Sequence, residues 1–306
     1  MARNFAARPR TLAIAVGTTL AMAAVAWTTA ALASNGAPAS KKSAQASQTV
    51  RVDGYDTNAG PSPTDPIRGA TVTSTCPAGT KLAFGGYTGD IAFTGNAPGV
   101  TLSGLRRPSK REWSATTFNL SGGAGNATSI AYCTKVKKIT EATGSVNIPP
   151  LGSGTATATC PRKRSVRFGG FSAQDSLTSG EPLVVPTGMR RASKRTLQVE
   201  GVNLGEHSSG TLDAIAYCGK GKKLTEKFAS ATVPNRQQAS ATATCPKRKP
   251  VAFGGFDVET DVADLNPLTV LSGLVRPSKR TWTASAAGAV GPGEVTSYAY
   301  CAKKKK

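Results

Sequence analysis

Three stretches of this chain are near-copies of one another, and each is bounded by a pair of cysteines. The two cysteines of a copy lie 57, 58 and 56 residues apart, and successive opening cysteines lie 84 and 85 residues apart. So regular an array predicts one structural module used three times. The copies open at Cys76-Pro77, Cys160-Pro161 and Cys245-Pro246, and they close at Ala131-Tyr132-Cys133, Ala216-Tyr217-Cys218 and Ala299-Tyr300-Cys301.

The segment ahead of the repeats has the three parts of a secretory signal, which we predict over residues 1–33. Arginines at positions 3, 8 and 10 form a positive start, residues 11–29 are apolar or small, and Ala31-Leu32-Ala33 fits a cleavage site. A transmembrane anchor is the alternative, but a polar stretch, predicted as a flexible linker over 34–47, follows at once. We therefore expect a secreted protein, extracellular or associated with the cell envelope, with no membrane span in the mature chain.

Export changes how the cysteines are interpreted, because disulfides persist outside the cytosol. Six cysteines allow fifteen pairings, and the repeat favours the simplest of them, with one bridge inside each copy. A metal site is the alternative, but no copy has a C-x-x-C pair and His207 is the only histidine, so we expect no metal and no other cofactor. The predicted bridges are Cys76–Cys133, Cys160–Cys218 and Cys245–Cys301.

A basic tag follows each closing cysteine and sets the phase of the repeat. The tags predict β repeats over 48–138, 139–223 and 224–306. Short alternating segments separated by Gly, Pro, Ser and Asn predict about six strands per repeat and little helix. We expect an all-β protein of three tandem, small β-sandwich-like modules with one disulfide each. The alternative is a core shared by all three copies around a pseudo-threefold axis, as in a β-prism, which the near absence of linkers would suit.

A Phe-Gly-Gly-aromatic motif recurs in every copy. It occupies 84–87, 168–171 and 253–256. Paired glycines beside a strand could let a ligand approach, but they more often make a bulge or leave room for a neighbouring strand. We favour the structural interpretation. Trp113 and Trp282 are likewise interpreted as core residues, because Leu197 replaces them in the middle copy.

Charge carries the functional signal of this chain. The net charge is +21, and without the three arginines of the predicted signal 35 basic residues face 17 acidic ones, a net charge of +18. Each copy carries one basic turn of the form Arg-x-Ser-Lys-Arg, which we expect at the tip of a hairpin. Their guanidinium, ammonium and hydroxyl groups suit phosphate, sulfate or carboxylate. The predicted anion-binding residues are Arg107, Ser109, Lys110, Arg111, Arg191, Ser193, Lys194, Arg195, Arg276, Ser278, Lys279 and Arg280.

Three weak sites on one chain act together through effective concentration. The expected ligand is an anionic polymer outside the cell, namely a phosphate-bearing wall polymer or an acidic polysaccharide, with non-specific DNA binding also open. Aromatic residues for stacking bases are missing from the turns, which argues against sequence-specific or single-strand binding. The alternative is that the charge serves solubility and the protection of strand edges.

An enzyme and a protein-binding module are the two other function classes. An enzyme is not expected, because His207 lacks a partner for nucleophilic catalysis and the acidic residues do not recur at matched positions. The acids of the third copy, at 257, 259, 261 and 264, lack the spacing of an EF-hand. A protein-binding module, such as an adhesin or a protease inhibitor presenting its Lys-Arg turns, remains the alternative function.

The repeat resembles a family of uncharacterised exported actinobacterial proteins. The resemblance is carried by the Thr-Cys-Pro opening, the Gly-Gly-aromatic strand, the segment around Trp113 and Trp282, and the Ala-Tyr-Cys closing strand, and it covers nearly all of residues 70–306. It implies a β protein that is extracellular or at the cell surface, and it implies no activity. The basic turns and Lys tags depart from the usual pattern.

Overall fold

The computed structural model describes residues 44–52, 69–92, 99–120, 123–135, 138–174, 182–221, 223–261 and 266–302. The predicted signal segment and residues 34–43 of the predicted linker lie outside the described residues, as do Lys137, Lys222 and residues 303–306 of the closing tags. The described part of the chain contains no helix long and apolar enough to cross a membrane.

Six strands form in each repeat, which confirms the predicted all-β fold class. Repeat 1 contains β1 (Ala44–Val52), β2 (Gly69–Thr75), β3 (Lys81–Gly89), β4 (Val100–Arg106), β5 (Glu112–Asn119) and β6 (Gly125–Thr134). Repeat 2 contains β7 (Thr140–Ile148), β8 (Ser153–Thr159), β9 (Ser165–Ala173), β10 (Val184–Arg190), β11 (Thr196–Asn203) and β12 (Gly210–Gly219). Repeat 3 contains β13 (Thr225–Val233), β14 (Gln238–Thr244), β15 (Val251–Val258), β16 (Leu268–Ser278), β17 (Thr281–Val290) and β18 (Gly293–Cys301).

The first strand of each repeat lies in the segment that leads to the opening cysteine. β7 begins at Thr140 and β13 at Thr225, each two residues after the last lysine of the preceding tag. β1 begins at Ala44, four residues before the predicted start of repeat 1, and it pairs antiparallel with β6 from Ala44–Cys133 to Val52–Gly125. Residues 44–47, predicted as flexible linker, are therefore part of the sheet.

Each of the three six-stranded sheets combines halves of two repeats. The first, third and sixth strands of a repeat form one half-sheet, and its second, fourth and fifth strands form another. Repeats 1 and 3 share β1-β6-β3-β16-β17-β14, repeats 1 and 2 share β2-β5-β4-β9-β12-β7, and repeats 2 and 3 share β13-β18-β15-β10-β11-β8. The three tandem β modules are thus confirmed, and in the described ranges each module pairs its two half-sheets with those of its neighbours, as in the shared-core alternative.

The half-sheets meet at three short seams. Each seam contains two residue pairs: Gly104–Ser172 with Leu105–Phe171, Gly188–Asp257 with Met189–Phe256, and Gly273–Thr88 with Leu274–Tyr87. A bulge precedes the seam at the equivalent position of every repeat, at Ser103, Thr187 and Ser272. A β-bulge bends the strand and increases its twist, and here it turns the fourth strand from its own repeat towards the next.

A hydrogen bond between repeats recurs in a closed cycle. The backbone N–H of Arg107 donates to the hydroxyl of Tyr217 at 2.7 Å, that of Arg191 to Tyr300 at 2.6 Å, and that of Arg276 to Tyr132 at 2.8 Å. Repeat 1 thus contacts repeat 2, repeat 2 contacts repeat 3, and repeat 3 contacts repeat 1. Since the same contact closes on itself after three steps, one pseudo-threefold rotation axis relates the repeats.

The hydrophobic core is continuous across all three repeats. One large cluster joins buried residues of every repeat, and a second cluster takes two residues from each: Ile91, Phe118, Val185, Val202, Val270 and Ala287. Trp113 and Trp282 are 1 % exposed and Leu197 is fully buried, so the prediction that this position belongs to the core is confirmed.

The paired glycines have a structural role, as the sequence predicts. A Cβ on Gly85 or Gly254, the first glycine, would overlap the indole of the tryptophan in the same repeat. A Cβ on the second glycine would overlap a backbone carbonyl oxygen of the neighbouring repeat. These second-glycine contacts are Gly86 with Leu274, Gly170 with Leu105, and Gly255 with Met189.

All three predicted disulfides are present. Cys76–Cys133, Cys160–Cys218 and Cys245–Cys301 each join the residue after the second strand to the last strand of the same repeat, with Cα atoms 5.6 Å apart. The six cysteines are all paired in this way. Each bridge therefore fixes the two half-sheets of one repeat to each other.

Candidate functional site

The three basic turns connect the fourth and fifth strands of their repeats. They lie between β4 and β5 and between β10 and β11, and in repeat 3 the turn spans the last three residues of β16 and the two residues before β17. A rotation about an axis keeps equivalent residues at the same height along it, so the three turns lie at one end of the molecule. We call this end the turn end; the disulfides lie close to it, since each opening cysteine hydrogen-bonds to the last arginine of its turn.

The last arginine of each turn hydrogen-bonds to the backbone of its own repeat. The Nε of Arg111, Arg195 and Arg280 donates to the carbonyl of the opening cysteine at 2.9, 2.9 and 3.0 Å. In return the cysteine N–H donates to the arginine carbonyl at 2.7, 2.7 and 2.8 Å. These arginines therefore hold the turn against the segment that carries the disulfide.

The turn serines form hydrogen bonds within the turn. The hydroxyl oxygens of Ser109, Ser193 and Ser278 accept the backbone N–H of the arginine two residues later at 3.2, 3.2 and 3.1 Å. Such a side-chain bond to the following backbone is a usual way to close a turn. The oxygens of these predicted ligand residues therefore shape the turn in the structure.

Replacing Arg195 by Ser should lower the free energy of unfolding, because the partly buried backbone carbonyl of Cys160 would lose a charge-assisted hydrogen bond. A bond of this kind contributes about 1.5–3 kcal/mol. Replacing the adjacent Lys194 by Ser should leave the free energy of unfolding within about 0.5 kcal/mol, as expected for an exposed residue. Urea unfolding of the two variants checks this, and equal stability would contradict the role assigned to Arg195.

The turn lysines, by contrast, are free to meet a ligand. Lys110, Lys194 and Lys279 are exposed, while their backbone carbonyls accept N–H groups of Leu82, Val166 and Val251 at 3.0, 3.1 and 2.9 Å. The backbone beneath each lysine is thus fixed, whereas its ammonium group faces solvent. Among the predicted ligand residues, these three suit contact with a large anion best.

The first arginine of each turn lies at a contact between repeats and is half-buried. The guanidinium of Arg276 lies over the rings of Phe84 and Tyr132, 5.1 and 4.5 Å from their centroids. The Nε atoms of Arg107 and Arg191 are buried without a hydrogen-bond partner. Burial lowers the pKa of all three guanidinium groups.

Further cations surround the turns. The loops after the opening cysteines of repeats 2 and 3 lie beside their turns and carry Arg162, Lys163, Arg164, Lys247, Arg248 and Lys249. Gly79 occupies the left-handed position of this loop in repeat 1, at φ 76°, where Lys163 and Arg248 have φ 65° and 64°. Three described carboxylates lie close to the turns: Glu112 follows Arg111 in the chain, Glu141 interacts with Arg107, and Glu226 interacts with Arg191.

The loops at the other end have the opposite charge. Among the described residues they carry one arginine, Arg236, and four carboxylates, those of Asp90, Glu206, Glu259 and Asp261. A fifth carboxylate, that of Glu294, lies at the start of β18. In a chain of net charge +21, this separation concentrates positive charge at the turn end.

A polar groove of about 720 Å³ lies where repeats 2 and 3 meet. Its walls include the carboxylates of Glu200, Asp257, Glu259 and Glu294. Burial raises the pKa of Asp257 to about 6, and the charge of Glu200 adds to the rise. Glu200 also pairs with Arg190 at 3.3 Å. Within the described ranges, no three His, Cys, Asp or Glu side chains are grouped to hold a metal ion.

Sequence reasoning missed the tyrosine of the closing motif and Arg167. Tyr132, Tyr217 and Tyr300 recur at matched positions, yet only the structure shows that each hydroxyl accepts a hydrogen bond from the basic turn of the preceding repeat in the cycle. Arg167 carried a weaker signal, since it stands where repeats 1 and 3 have Ala83 and Ala252. In comparisons with known proteins, no family model and no curated protein matches this chain.

Proposed function

We propose that this protein is a secreted, non-catalytic binding protein that engages anionic polymers at or near the cell envelope through the exposed lysines of its three basic turns. The observation that carries the proposal is the cyclic contact between repeats, because it brings three matched turns to one end of the molecule. Three cations on a rigid frame present one multivalent surface, and multivalency strengthens binding without new contacts.

The charge distribution supports the same function. If charge served solubility alone, basic residues should be spread over the surface. Among the described residues they gather at the turn end, and the loops of the opposite end are mainly acidic. An asymmetric field of this kind steers a polyanion towards one end and slows its approach to the other.

Three observations favour secretion. The predicted signal segment, the three disulfides and the resemblance to exported actinobacterial proteins all favour an oxidising compartment outside the cytosol. The ligands abundant there are phosphate-bearing wall polymers and acidic polysaccharides, and DNA meets the same surface without sequence readout.

The test is binding of residues 34–306 to a phosphate-bearing wall polymer, a carboxylate polysaccharide, duplex DNA and a neutral glycan. The test variant carries Lys110→Ser, Lys194→Ser and Lys279→Ser. A lysine near an anionic surface contributes about 1 kcal/mol, so the triple variant should bind polyanions about a hundredfold more weakly. The arginines stay in place because their loss would disturb the turns.

A charge-matched control distinguishes direct contact between the turn lysines and the polymer from the effect of net charge alone. The single variant Lys194→Ser is compared with Arg236→Gln, which removes the same charge from an exposed position at the opposite end. We expect a clear loss in the first variant and little change in the second. Equal losses, or salt-insensitive binding to the neutral glycan, would overturn the proposal and favour a protein partner.

A further inference from the structure

The loop that follows each opening cysteine is joined to the basic turn of the same repeat. In repeat 2 the backbone N–H of Cys160 donates to the carbonyl of Arg195 at 2.7 Å, and that of Val166 donates to the carbonyl of Lys194 at 3.1 Å. The equivalent bonds of repeat 3 measure 2.8 and 2.9 Å. Loop and turn therefore present their exposed side chains next to each other. We call residues 78–80, 162–164 and 247–249 the cysteine loops.

The cysteine loops of repeats 2 and 3 share their charge but not their residues. Arg162-Lys163-Arg164 in repeat 2 corresponds to Lys247-Arg248-Lys249 in repeat 3, so the residue type differs at all three positions and every position is basic. Repeat 1 has Ala78-Gly79-Thr80 there. A sequence inherited by duplication alone would keep its residue types, whereas here only the positive charge is common to the two loops.

The backbone of the cysteine loop favours glycine at its middle position. A turn bond closes the loop, from the N–H of Thr80 to the carbonyl of Pro77 at 3.2 Å in repeat 1 and at 3.1 and 3.0 Å in repeats 2 and 3. The middle residue has a positive φ, which is 76° at Gly79, 65° at Lys163 and 64° at Arg248. Glycine adopts this conformation without steric cost, and other residues do not. Repeats 2 and 3 thus carry a cation at a position where the turn forms more easily with glycine.

A second pair of turns shows that a positive φ by itself does not select a cation. The turns between the first and second strands of repeats 2 and 3 are closed by the same kind of bond, and their positive-φ residues are Leu151 and Arg236, at 48° and 55°. One of these residues is apolar and the other is basic. The repeated positive charge is therefore a property of the cysteine loops and not of this type of turn.

The cations at the first two positions of these loops are available to a ligand. Arg162, Lys163, Lys247 and Arg248 are exposed, and within the described part of the chain none of them forms a salt bridge or a side-chain hydrogen bond. Counted with the turn lysines, they give repeats 2 and 3 three such cations each. The same two segments of repeat 1 offer only Lys110.

We propose that the cysteine loops of repeats 2 and 3, together with the basic turns to which they are joined, form the principal contacts for the anionic polymer, and that this polymer is a linear chain lying across both repeats. The inference rests on the proposed function, since it specifies the form of the ligand and further contact residues at the same end. A compact anion centred on the pseudo-threefold axis would meet three equal contacts. Two strong contacts and one weak contact suit a linear chain, which binds both through effective concentration.

The experiment titrates residues 34–306 with linear polyphosphate, followed by calorimetry. Lys163→Gly and Arg248→Gly should each weaken binding about fivefold, and the double variant about thirtyfold, because the effects of two cations on one bound chain multiply. The thermal midpoint should not fall in either variant, since glycine occupies this position in repeat 1 and is favoured at this φ. A loss of affinity at unchanged or higher stability therefore reports contact with the polymer.

Two further variants make the test specific. Arg236→Gly removes one positive charge and relieves the same backbone conformation at the opposite end, so it should leave binding unchanged. Ala78→Arg with Gly79→Lys gives repeat 1 the first two loop residues of repeat 2 and should strengthen binding, a gain that misfolding does not produce. Equal weakening by Lys163→Gly and Arg236→Gly, or no gain from the repeat 1 variant, overturns the loop contacts.

The remaining outcomes distinguish this inference from the proposed function. If the loop substitutions have no effect while the triple substitution of the turn lysines still weakens binding, only this inference fails. If the loop substitutions weaken binding and the turn lysines do not matter, the role proposed for the lysines fails instead. A site of unchanged affinity remaining in either single loop variant would mean that each repeat binds its own chain, and would overturn the linear ligand lying across both.

Discussion

Gly170→Ala is expected to destabilise the whole protein by about 3 kcal/mol, the upper end of the usual cost of overpacking. The added Cβ would overlap the carbonyl oxygen of Leu105 in repeat 1 and lie 3.3 Å from the ring of Tyr217. The obstacle is backbone at a seam between repeats, so it cannot move without separating β4 from β9. Because the core is continuous, we expect the loss in a single unfolding transition that includes all three repeats.

The matched control is Gly104→Ala on the opposite strand of the same seam. Its Cβ would lie 3.4 Å from Cβ of Thr116 and 3.5 Å from the carbonyl oxygen of Phe171, which is close to ordinary contact. We expect a change of less than about 1 kcal/mol, since Gly→Ala also restricts the unfolded chain. Calorimetry measures both. Equal effects, or unfolding of repeat 2 alone in the Gly170 variant, would contradict the shared core.

Removing one disulfide should have a comparable effect. Closing a ring of 58 residues contributes roughly 4 kcal/mol by chain entropy, so Cys160→Ala with Cys218→Ala should lower the thermal midpoint by about 10 °C in a domain of this size. The bridge joins the two half-sheets of repeat 2, each of which belongs to a different sheet. Its loss should therefore loosen both seams of that repeat.

Scanning calorimetry and hydrogen exchange measure this effect. Because repeat 2 forms seams with both other repeats, amides of β4 and β15, its seam partners, should exchange faster in the double alanine variant. The equivalent variant Cys76→Ala with Cys133→Ala serves as the comparison, and it should loosen β9 and β16 instead. A midpoint within about 2 °C of the wild type, or changes confined to repeat 2, would contradict this expectation.

Much of the fold was accessible from the sequence because the chain repeats itself. Three matched cysteine pairs reduce fifteen possible pairings to one simple choice, and the Trp-to-Leu exchange at 113, 197 and 282 indicates a core position. The strand count follows from alternation and turn residues. These features depend on local pattern or on comparison of the copies, and neither requires knowledge of which strands meet.

Partner choice between copies was not accessible. Equivalent strands of the three repeats have nearly the same sequence. A strand of repeat 1 could therefore pair equally well with a strand of its own repeat or with the equivalent strand of repeat 2, and periodicity cannot distinguish independent modules from a shared core. The second glycine of each Gly-Gly pair was the one sequence feature that indicated a close contact with another strand. It makes room for a backbone carbonyl, but the sequence does not show which repeat supplies that carbonyl.

The position of the basic turns in the fold was predicted from the sequence, whereas the contacts of their individual residues were not. Charge and turn chemistry located the three basic turns correctly at hairpin ends. The three members of each Ser-Lys-Arg sequence then separate by contact: the serine and arginine hold the turn, and the lysine faces solvent. That division depends on the carbonyl of a cysteine 35 residues away, which a local motif cannot reveal.

The most direct test of the turn end as a polyanion-binding surface is the salt dependence of duplex DNA binding, used as a probe of known charge density. Each phosphate neutralised contributes about −0.9 to the slope of log K against log salt. If the three turn lysines each contact a phosphate, the wild type should have a slope about 2.7 units steeper than the variant with Lys110, Lys194 and Lys279 changed to Ser. Equal slopes would show that the turns do not contact the polymer and would leave their charge as a property of a soluble surface.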